Sequence, residues 1–178
     1  MRPHEEHRSH APKRLQVRIV TVSSSRYEKK TARSKFADEA GDAAEAEVKR
    51  EGHLVTVREL VSDDATMIGQ EARAFLDSGD DVLLFTGGTG VSSRDITVET
   101  VKPLFQKELP GFGELLRRIS YGKIGSAAML TRATAGTANG KLLVCMPGSP
   151  DAVKTALRAS VSEFPHIVSV ARRPLPTQ

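Results

Sequence analysis

A single cysteine, two tyrosines and no tryptophan stand among the 178 residues of this chain. One cysteine excludes an internal disulfide framework and suits a reducing compartment. Six Phe, two Tyr and no Trp leave few stacking platforms for a single nucleic-acid strand. The net charge of +4, from 26 Lys+Arg against 22 Asp+Glu, is compatible with anionic ligands. It is too small to argue for nucleic acid, and no basic reader motif accompanies it. Long apolar runs are also missing. Stretches such as Val82-Leu83-Leu84-Phe85 and Leu142-Leu143-Val144-Cys145-Met146 fall far short of the roughly 18 residues that span a bilayer. No membrane association is expected. Met1–Arg14 carries no apolar segment of the kind found in secretory leaders, so the expected location is the cytoplasm.

What is present describes a globular chain. Hydrophobic residues make up 39% and charged residues 27%, which excludes a wholly disordered protein. A chain of this length buries about 70% of its unfolded surface and needs no metal or disulfide to hold a core. One domain is predicted over residues 15–165, with an N-terminal tail at 1–14 and a C-terminal tail at 166–178. His4, His7 and His10 in the first tail read either as a metal-binding tract or as part of a disordered extension. The lack of apolar residues around them favours the second.

From Leu15 onward strand and helix patterns alternate. LQVRIVTV ends at Ser23-Ser24-Ser25, and the polar, basic residues 26–34 read as a mobile loop. Phe36, Ala40, Ala43, Ala44 and Val48 fall near helical spacing, with Gly52 as a stop. Leu54 to Leu60 reads as a strand. Ile68, Ala72, Phe75 and Leu76 mark one helical face. Asp81 to Thr86 is apolar without alternation, as in a central parallel strand covered on both faces. A glycine-rich loop follows, then a helical pattern over 96–106. After the break at Pro110-Gly111, Phe112, Leu115, Leu116 and Ile119 return to helical spacing. Residues 128–136 and 141–146 read as two strands about the hairpin signal Asn139-Gly140. Val153, Ala156, Leu157, Val161 and Phe164 mark the last helix, with Ser149 suited to its N-cap and Pro150 to its first position. The pattern predicts an α/β fold, a three-layer αβα arrangement with a mostly parallel sheet, helices on both faces and a small β-hairpin. In such folds ligands lie outside the carboxyl ends of the strands. Small or polar residues occupy four of those ends: Ser23-Ser24-Ser25, Ser62-Asp63-Asp64, Gly87-Gly88-Thr89-Gly90 and Pro147-Gly148-Ser149.

The segment TGGTGVSSRDIT, Thr86 to Thr97, is the most informative. Glycines after a buried strand let the backbone approach a ligand and turn N–H groups toward an anion, and a following helix adds its positive end. The segment is neither a P-loop nor a dinucleotide fingerprint, since it lacks the lysine of one and the spacing of the other. A plain tight turn with positive φ is the competing reading. Asp95, just before a helix, reads as an N-cap or as a ligand-facing carboxylate, and Asp63 invites the same pair of readings. Two carboxylates at two strand ends beside a phosphate loop could hold Mg²⁺, which usually takes one or two carboxylates plus substrate phosphates. Ser149 reads as a cap first and a ligand contact second. At least one of Arg117 and Arg118 is expected in solvent. Arg132 reads as a strand residue of undetermined direction, and Cys145 as a small core residue. No serine or cysteine pairs with a histidine in a hydrolase pattern.

The order and spacing of TVSSSR (21–26), LVSDD (60–64), LLFTGGTGVSSRDIT (83–97), ELPGFGELLRRIS (108–120), AMLTRATAG (128–136) and MPGSP (146–150) resemble the molybdenum cofactor biosynthesis protein B/Mog family over residues 15–165. The resemblance implies the three-layer fold of that family and a homo-oligomer, trimer or hexamer. It implies binding of molybdopterin, a pterin carrying a dithiolene and a terminal phosphate. In active members MgATP adenylylates that phosphate and pyrophosphate leaves; the product then goes to a molybdate-insertion protein. Carried onto this chain, the catalytic and Mg²⁺-holding aspartates fall on Asp63 and Asp95. The substrate-binding positions fall on Gly87, Gly88, Thr89, Gly90, Ser120, Pro147, Gly148 and Ser149, and the nucleotide end on Ser23 and Ser24. The basic stretch Arg26–Lys35 reads either as a solvated loop or as a lid over triphosphate.

The chain departs from the family at Ser24, where many relatives have Asp or Asn, and at Asp38-Glu39-Ala40-Gly41, where they have DxSG. Both aspartates are kept, as in the active members. A molybdopterin carrier or scaffold without turnover is the alternative function, and a relative reused for another nucleotide or for assembly is a third.

Overall fold

The computed structural model describes residues 11–173. His4, His7 and His10, and most of the expected N-terminal tail, lie outside the described residues.

Six strands form one sheet: β1 Gln16–Val22, β2 Leu54–Val61, β3 Val82–Thr86, β4 Lys107–Glu108, β5 Thr134–Ala138 and β6 Lys141–Met146. They are ordered β2-β1-β3-β6-β5-β4. β1 pairs in parallel with both β2 and β3, and β3 with β6, while β5 and β4 run antiparallel at one side. The parallel majority and the hairpin agree with the sequence patterns. The apolar run over β3 is buried at every position, because the strand sends Val82 and Leu84 into one core and Leu83 and Phe85 into the other. β6 does the same, with Leu142, Val144 and Met146 on one side and Leu143 and Cys145 on the other. Alternate side chains of a strand point to opposite faces, so two such strands demand helices on both sides.

Helices α1 Ser24–Thr31, α2 Glu39–Arg50, α3 Ala65–Asp77, α4 Thr97–Val101, α5 Pro110–Ile124, α6 Pro150–Ser160 and α7 Phe164–Ala171 complete the fold. Ala40, Ala44 and Val48 of α2, Leu116 of α5, Val153 and Leu157 of α6, and Phe164 and Val168 of α7 cover one face. Ile68, Ala72 and Phe75 of α3 and Val101 of α4 cover the other. Cys145 is a fully buried free thiol whose pKa burial pushes up, a core residue rather than a nucleophile. None of the helices among the described residues is long and apolar enough to cross a membrane.

Several local expectations are corrected. Residues 26–34, read as a loop, are largely helix: α1 contains no buried residue, so it has no apolar stripe by which its pattern would show. Lys29 and Lys30 lie in its last turn, where cations complement the helix dipole. Phe36 precedes α2 and is exposed, rather than joining that helix. The helical pattern over 96–106 resolves into α4 and a 3₁₀ turn at Lys102–Leu104 that contains Pro103. Residues 128–136 are strand only from Thr134, since Gly125–Leu130 forms a 3₁₀ segment. Arg132 therefore precedes the strand rather than lying in it. Residues 166–171, assigned to a tail, belong to α7, which buries Val168 against the sheet. The two-residue edge strand β4 was not anticipated.

β2 lies to one side of β1 and β3 to the other. The crevice outside the carboxyl ends of β1 and β3 is therefore a topological switch point, the usual ligand position in an open α/β sheet.

Candidate active site

The glycine loop begins where β3 ends. Gly87 and Gly88 both have positive φ, 102° and 62°, so the tight-turn reading is correct. The turn is also crowded. A Cβ on Gly87 would stand 2.2 Å from the Val22 carbonyl oxygen, and one on Gly88 would stand 2.3 Å from Thr97 Oγ1. The loop is tied down on both flanks. Gly87 N–H donates to the Met146 carbonyl at 3.0 Å. Thr97, fully buried, donates its hydroxyl to Gly87 O at 2.9 Å and its N–H to Gly88 O at 3.0 Å. Only α4, five residues long, follows the loop. The expected helix-end contribution is correspondingly small, because few peptide dipoles add up.

Asp63 stands on the β1–β2 side of the loop. The N-cap reading fails for it: Asp64 caps α3 by accepting from Met67 N–H at 2.9 Å. Asp63 Oδ2 instead accepts from Ser24 N–H and Ser24 Oγ, each at 2.8 Å. Ser24 Oγ also meets Ser62 Oγ at 2.9 Å and accepts from Asp63 N–H at 3.1 Å. Ser24 thus serves as a donor to the carboxylate. Asp63 Oδ1 receives no hydrogen bond among the described residues and lies 3.2 Å from a Cβ built on Gly88.

Asp95 stands at the other end of the loop. The N-cap reading fails here too, because Ile96 occupies the cap position of α4 and makes no side-chain cap bond. Asp95 Oδ2 accepts from Ser92 N–H at 2.9 Å and lies 2.8 Å from a Cβ built on Gly90. The two carboxylates therefore border the same loop, at Gly88 and at Gly90. Thr89 between them is buried.

The remaining expected site residues divide. Ser23 donates its N–H to the Val61 carbonyl at 2.9 Å and with Ser24 joins the ends of β1 and β2. Gly148 packs on the loop, a Cβ there falling 3.0 Å from Gly87 Cα, and Pro147 precedes it. Ser149 is the N-cap of α6, accepting from Ala152 N–H at 3.3 Å. Ser120 sits half-buried on α5 and shares no hydrogen bond with the loop among the described residues.

Three groups escaped the sequence reading. Thr86 Oγ1, at the base of the loop, is buried without a hydrogen-bond partner among the described residues. Such groups are rare and call for an explanation such as a ligand or a water. Arg132 and Glu99 form an ion pair beside Asp95. The hydrogen bond from Arg132 lowers the Glu99 pKa, and Glu99 raises that of Arg132. Depressions of about 400 Å³ lie on two sides of Arg132, one lined by Ser92, Asp95 and Glu99, the other by Arg117, Thr131 and Thr134. AMLTRATAG contained the arginine, but its partners lie 33 to 42 residues away in sequence, beyond any local pattern.

No group of three or more His, Cys, Asp or Glu side chains among the described residues could hold a metal by itself. The donors present are two carboxylates of the hard type that suits Mg²⁺, with the rest of the shell left to ligand oxygens.

Comparison with known proteins places the chain. Residues 18–166 match the family described as "Probable molybdopterin binding domain". The molybdenum cofactor biosynthesis protein B of Bacillus cereus is 43% identical over 165 residues, spanning 91% of this chain and 94% of that protein. The molybdopterin adenylyltransferase of Pyrococcus furiosus is 41% identical over 172 residues, spanning 94% of this chain and 98% of that protein. The crystal structure of the tungsten cofactor synthesizing protein MoaB from Pyrococcus furiosus superposes with a TM-score of 0.80 at 40% identity, covering 92% of this chain and 100% of that one.

Proposed function

The chain belongs to the molybdopterin-binding family of the molybdenum cofactor biosynthesis proteins, and from that premise we propose that it is a molybdopterin adenylyltransferase. AMP passes from MgATP to the terminal phosphate of molybdopterin. A phosphate oxygen of the pterin forms a bond to the α-phosphorus of ATP. The bond from that phosphorus to the bridging oxygen breaks, and pyrophosphate leaves with the electron pair. The observation that carries the reading is the pair of carboxylates bordering one glycine turn at the switch point of the sheet. Likeness to the Pyrococcus furiosus adenylyltransferase over nearly the whole chain supports it.

The chemistry needs little from the protein beyond placement. A phosphate monoester with a second pKa near 6 is largely a dianion at pH 7, so no side chain has to remove a proton. The barrier is the approach of two anions and the charge that develops at phosphorus, which alignment and fixed positive groups overcome. Gly87, Gly88, Thr89 and Gly90 let the backbone come close to phosphate oxygens, and the Pro147–Ser149 turn backs them. Ser23 and Ser24 border the nucleotide end. Ser120 comes from α5, and its expected contact would be with the pterin. Asp63 and Asp95 would hold Mg²⁺ together with phosphate oxygens. Bound there, the ion reduces the repulsion between the two substrates. With Oδ2 anchored by Ser24, Asp63 presents Oδ1 toward the loop.

The protein works as a homo-oligomer, a trimer or a hexamer, in the cytoplasm, and its product passes to a molybdate-insertion protein. Support for assembly comes from Tyr121, Ile124, Met129 and Leu130. These large apolar side chains, 56–79% exposed, follow one another along the end of α5 and the 3₁₀ segment after it. Clustered apolar exposure of this kind marks contact surfaces. Light scattering after size exclusion would give the copy number.

The deciding experiment supplies molybdopterin and MgATP and follows pyrophosphate and adenylylated pterin. Both should appear in equal amounts and depend on the metal. Tight molybdopterin binding without pyrophosphate would favour the carrier reading, and no molybdopterin binding the reuse of the fold for another ligand.

A further inference from the structure

We propose that Arg132 is a positioning residue that clamps the loop carrying Asp95, and that Glu99 holds the clamp in place. Its catalytic consequence rests on the role of Asp95 proposed above.

The segment from Val91 to Arg94 is exposed at every residue, Val91 to 67%. Beyond it, Ile96 packs against the core and buried Thr97 ties the chain back to Gly87 and Gly88, but no residue from Val91 to Arg94 is buried. Local bonds shape the segment: Asp95 N–H donates to Ser92 O at 2.9 Å, and Arg94 N–H to Ser92 Oγ at 3.3 Å. These bonds close a turn within the segment without attaching it to the body of the protein. Arg132 makes that attachment. Its Nε donates to the Gly90 carbonyl at 2.6 Å and its Nη2 to the Asp95 carbonyl at 3.0 Å. One rigid fork thus grips both ends of the segment from a position two residues before β5. Glu99 lies one turn beyond Asp95 on α4 and pairs with Nη1, and with Nη2 at 3.2 Å. The guanidinium is thereby held between loop and helix.

Arginine suits this task because its donors are fixed in one plane, whereas a lysine ammonium is a point donor on a flexible stem. Arg132→Lys keeps the charge and removes the two-ended grip. A displacement of about 1 Å at a reacting group is enough to cost roughly 10²-fold in rate. The clamp therefore governs turnover by setting the distance from Asp95 to the glycine turn.

The test uses Arg132→Lys and Glu99→Gln in the full chain. In Arg132→Lys, amide hydrogen exchange across residues 90–95 should quicken about tenfold or more while the β3 and β6 amides keep their protection. Adenylylation kcat should fall about 10- to 100-fold, KM for molybdopterin should change less than about threefold, and the half-saturating Mg²⁺ concentration should rise. Glu99→Gln should show the same pattern in smaller measure. Because the arginine acts through Asp95, adding Arg132→Lys to Asp95→Asn should slow turnover by less than about twofold more. Unchanged exchange in residues 90–95 overturns the clamp. Faster exchange with unaltered kcat and Mg²⁺ dependence overturns its link to Asp95. Should the wild-type protein show no turnover, the function proposed above fails, and the exchange measurement still decides whether Arg132 holds the loop.

Discussion

The two ends of the parallel sheet use the same residue type in opposite ways. At the amino end, Asp80 and Asp81 are saturated. Asp80 accepts from Thr56 Oγ1 at 2.7 Å, from Arg18 Nε at 3.2 Å and from Ser78 Oγ at 3.2 Å. Asp81 accepts from Gln16 N–H at 2.7 Å and from Arg172 Nη2 at 2.5 Å. Nearby, Lys141 fills the carbonyls of Phe75 and Ser78 at the end of α3 and lies over the Phe75 ring. At the carboxyl end, Asp63 and Asp95 each spend Oδ2 on neighbouring donors, and neither Oδ1 receives a hydrogen bond among the described residues. The difference is what the function proposed above for Asp63 and Asp95 requires. Carboxylates with every oxygen engaged hold strands and helices together, whereas half-engaged ones beside a glycine turn retain capacity for a ligand.

The largest effects should come from the carboxyl end, and they should appear in rate alone. Asp63→Asn and Asp95→Asn keep size and much of the hydrogen bonding but remove the charge. Turnover in each should fall by roughly 10²–10³, the usual scale for losing one preorganised electrostatic group. Molybdopterin binding should persist, and the melting temperature should move by less than about 2 °C. MgATP-dependent pyrophosphate release at the wild-type rate in both variants would end the contrast between the two sheet edges. The amino end should respond in the other currency. Asp81→Ala strips the charged acceptor from Gln16 and Arg172 and should lower stability by about 2 kcal/mol. That corresponds to a melting temperature lower by about 4–8 °C, with kcat near wild type at 25 °C.

A smaller effect tests the anchor of Asp63. Ser24→Ala removes one of its two donors and leaves the backbone N–H. The carboxylate would keep its place but wander, and turnover should drop about 3- to 10-fold, the equivalent of roughly 1 kcal/mol for one hydrogen bond. Thermal stability should hardly change, since Ser24 lies at the sheet edge. Steady-state kinetics beside a thermal melt would show whether loss of rate and loss of stability part company here as they should.

Legibility in the sequence followed the range of the interactions involved. β3 was plain because a central strand buries every side chain, and the glycine turn was plain because its conformation requires residues without a Cβ. The four polar strand ends could be brought to one edge because parallel strands must point the same way. α1 was hidden because a helix resting on the surface needs no apolar face. Asp63 and Asp95 were readable as caps only while the helix starts were uncertain by a residue; Asp64 and Ile96 hold those positions. Arg132 was visible as a letter and invisible as a contact. Its partners come from the loop after another strand, and nothing local dictates which way a residue just before a strand will point.

The smallest prediction concerns pH and belongs to the amino end. His53 is buried, its Nδ1 accepts from Leu15 N–H at 3.5 Å, and its Nε2 finds no partner among the described residues. Burial lowers its pKa from the ordinary value, and the attraction of Glu51, the backbone of Val161 and the attraction of Asp81 only partly oppose this. The folded protein therefore binds the proton less readily than the unfolded chain. The stability contributed by neutral His53 is complete above the unfolded pKa of about 6.5. It is lost as the pH falls through the folded value, where a proton on Nδ1 would face the Leu15 N–H, donor against donor. His53→Asn removes the titration while leaving an oxygen able to accept. The urea midpoint of the wild-type protein should drop between pH 7.5 and pH 5 by more than that of the variant, and a parallel fall in the two would show that His53 does not contribute. Adenylylation should not register the substitution at pH 7.5, because this histidine lies at the end of the sheet away from the glycine turn.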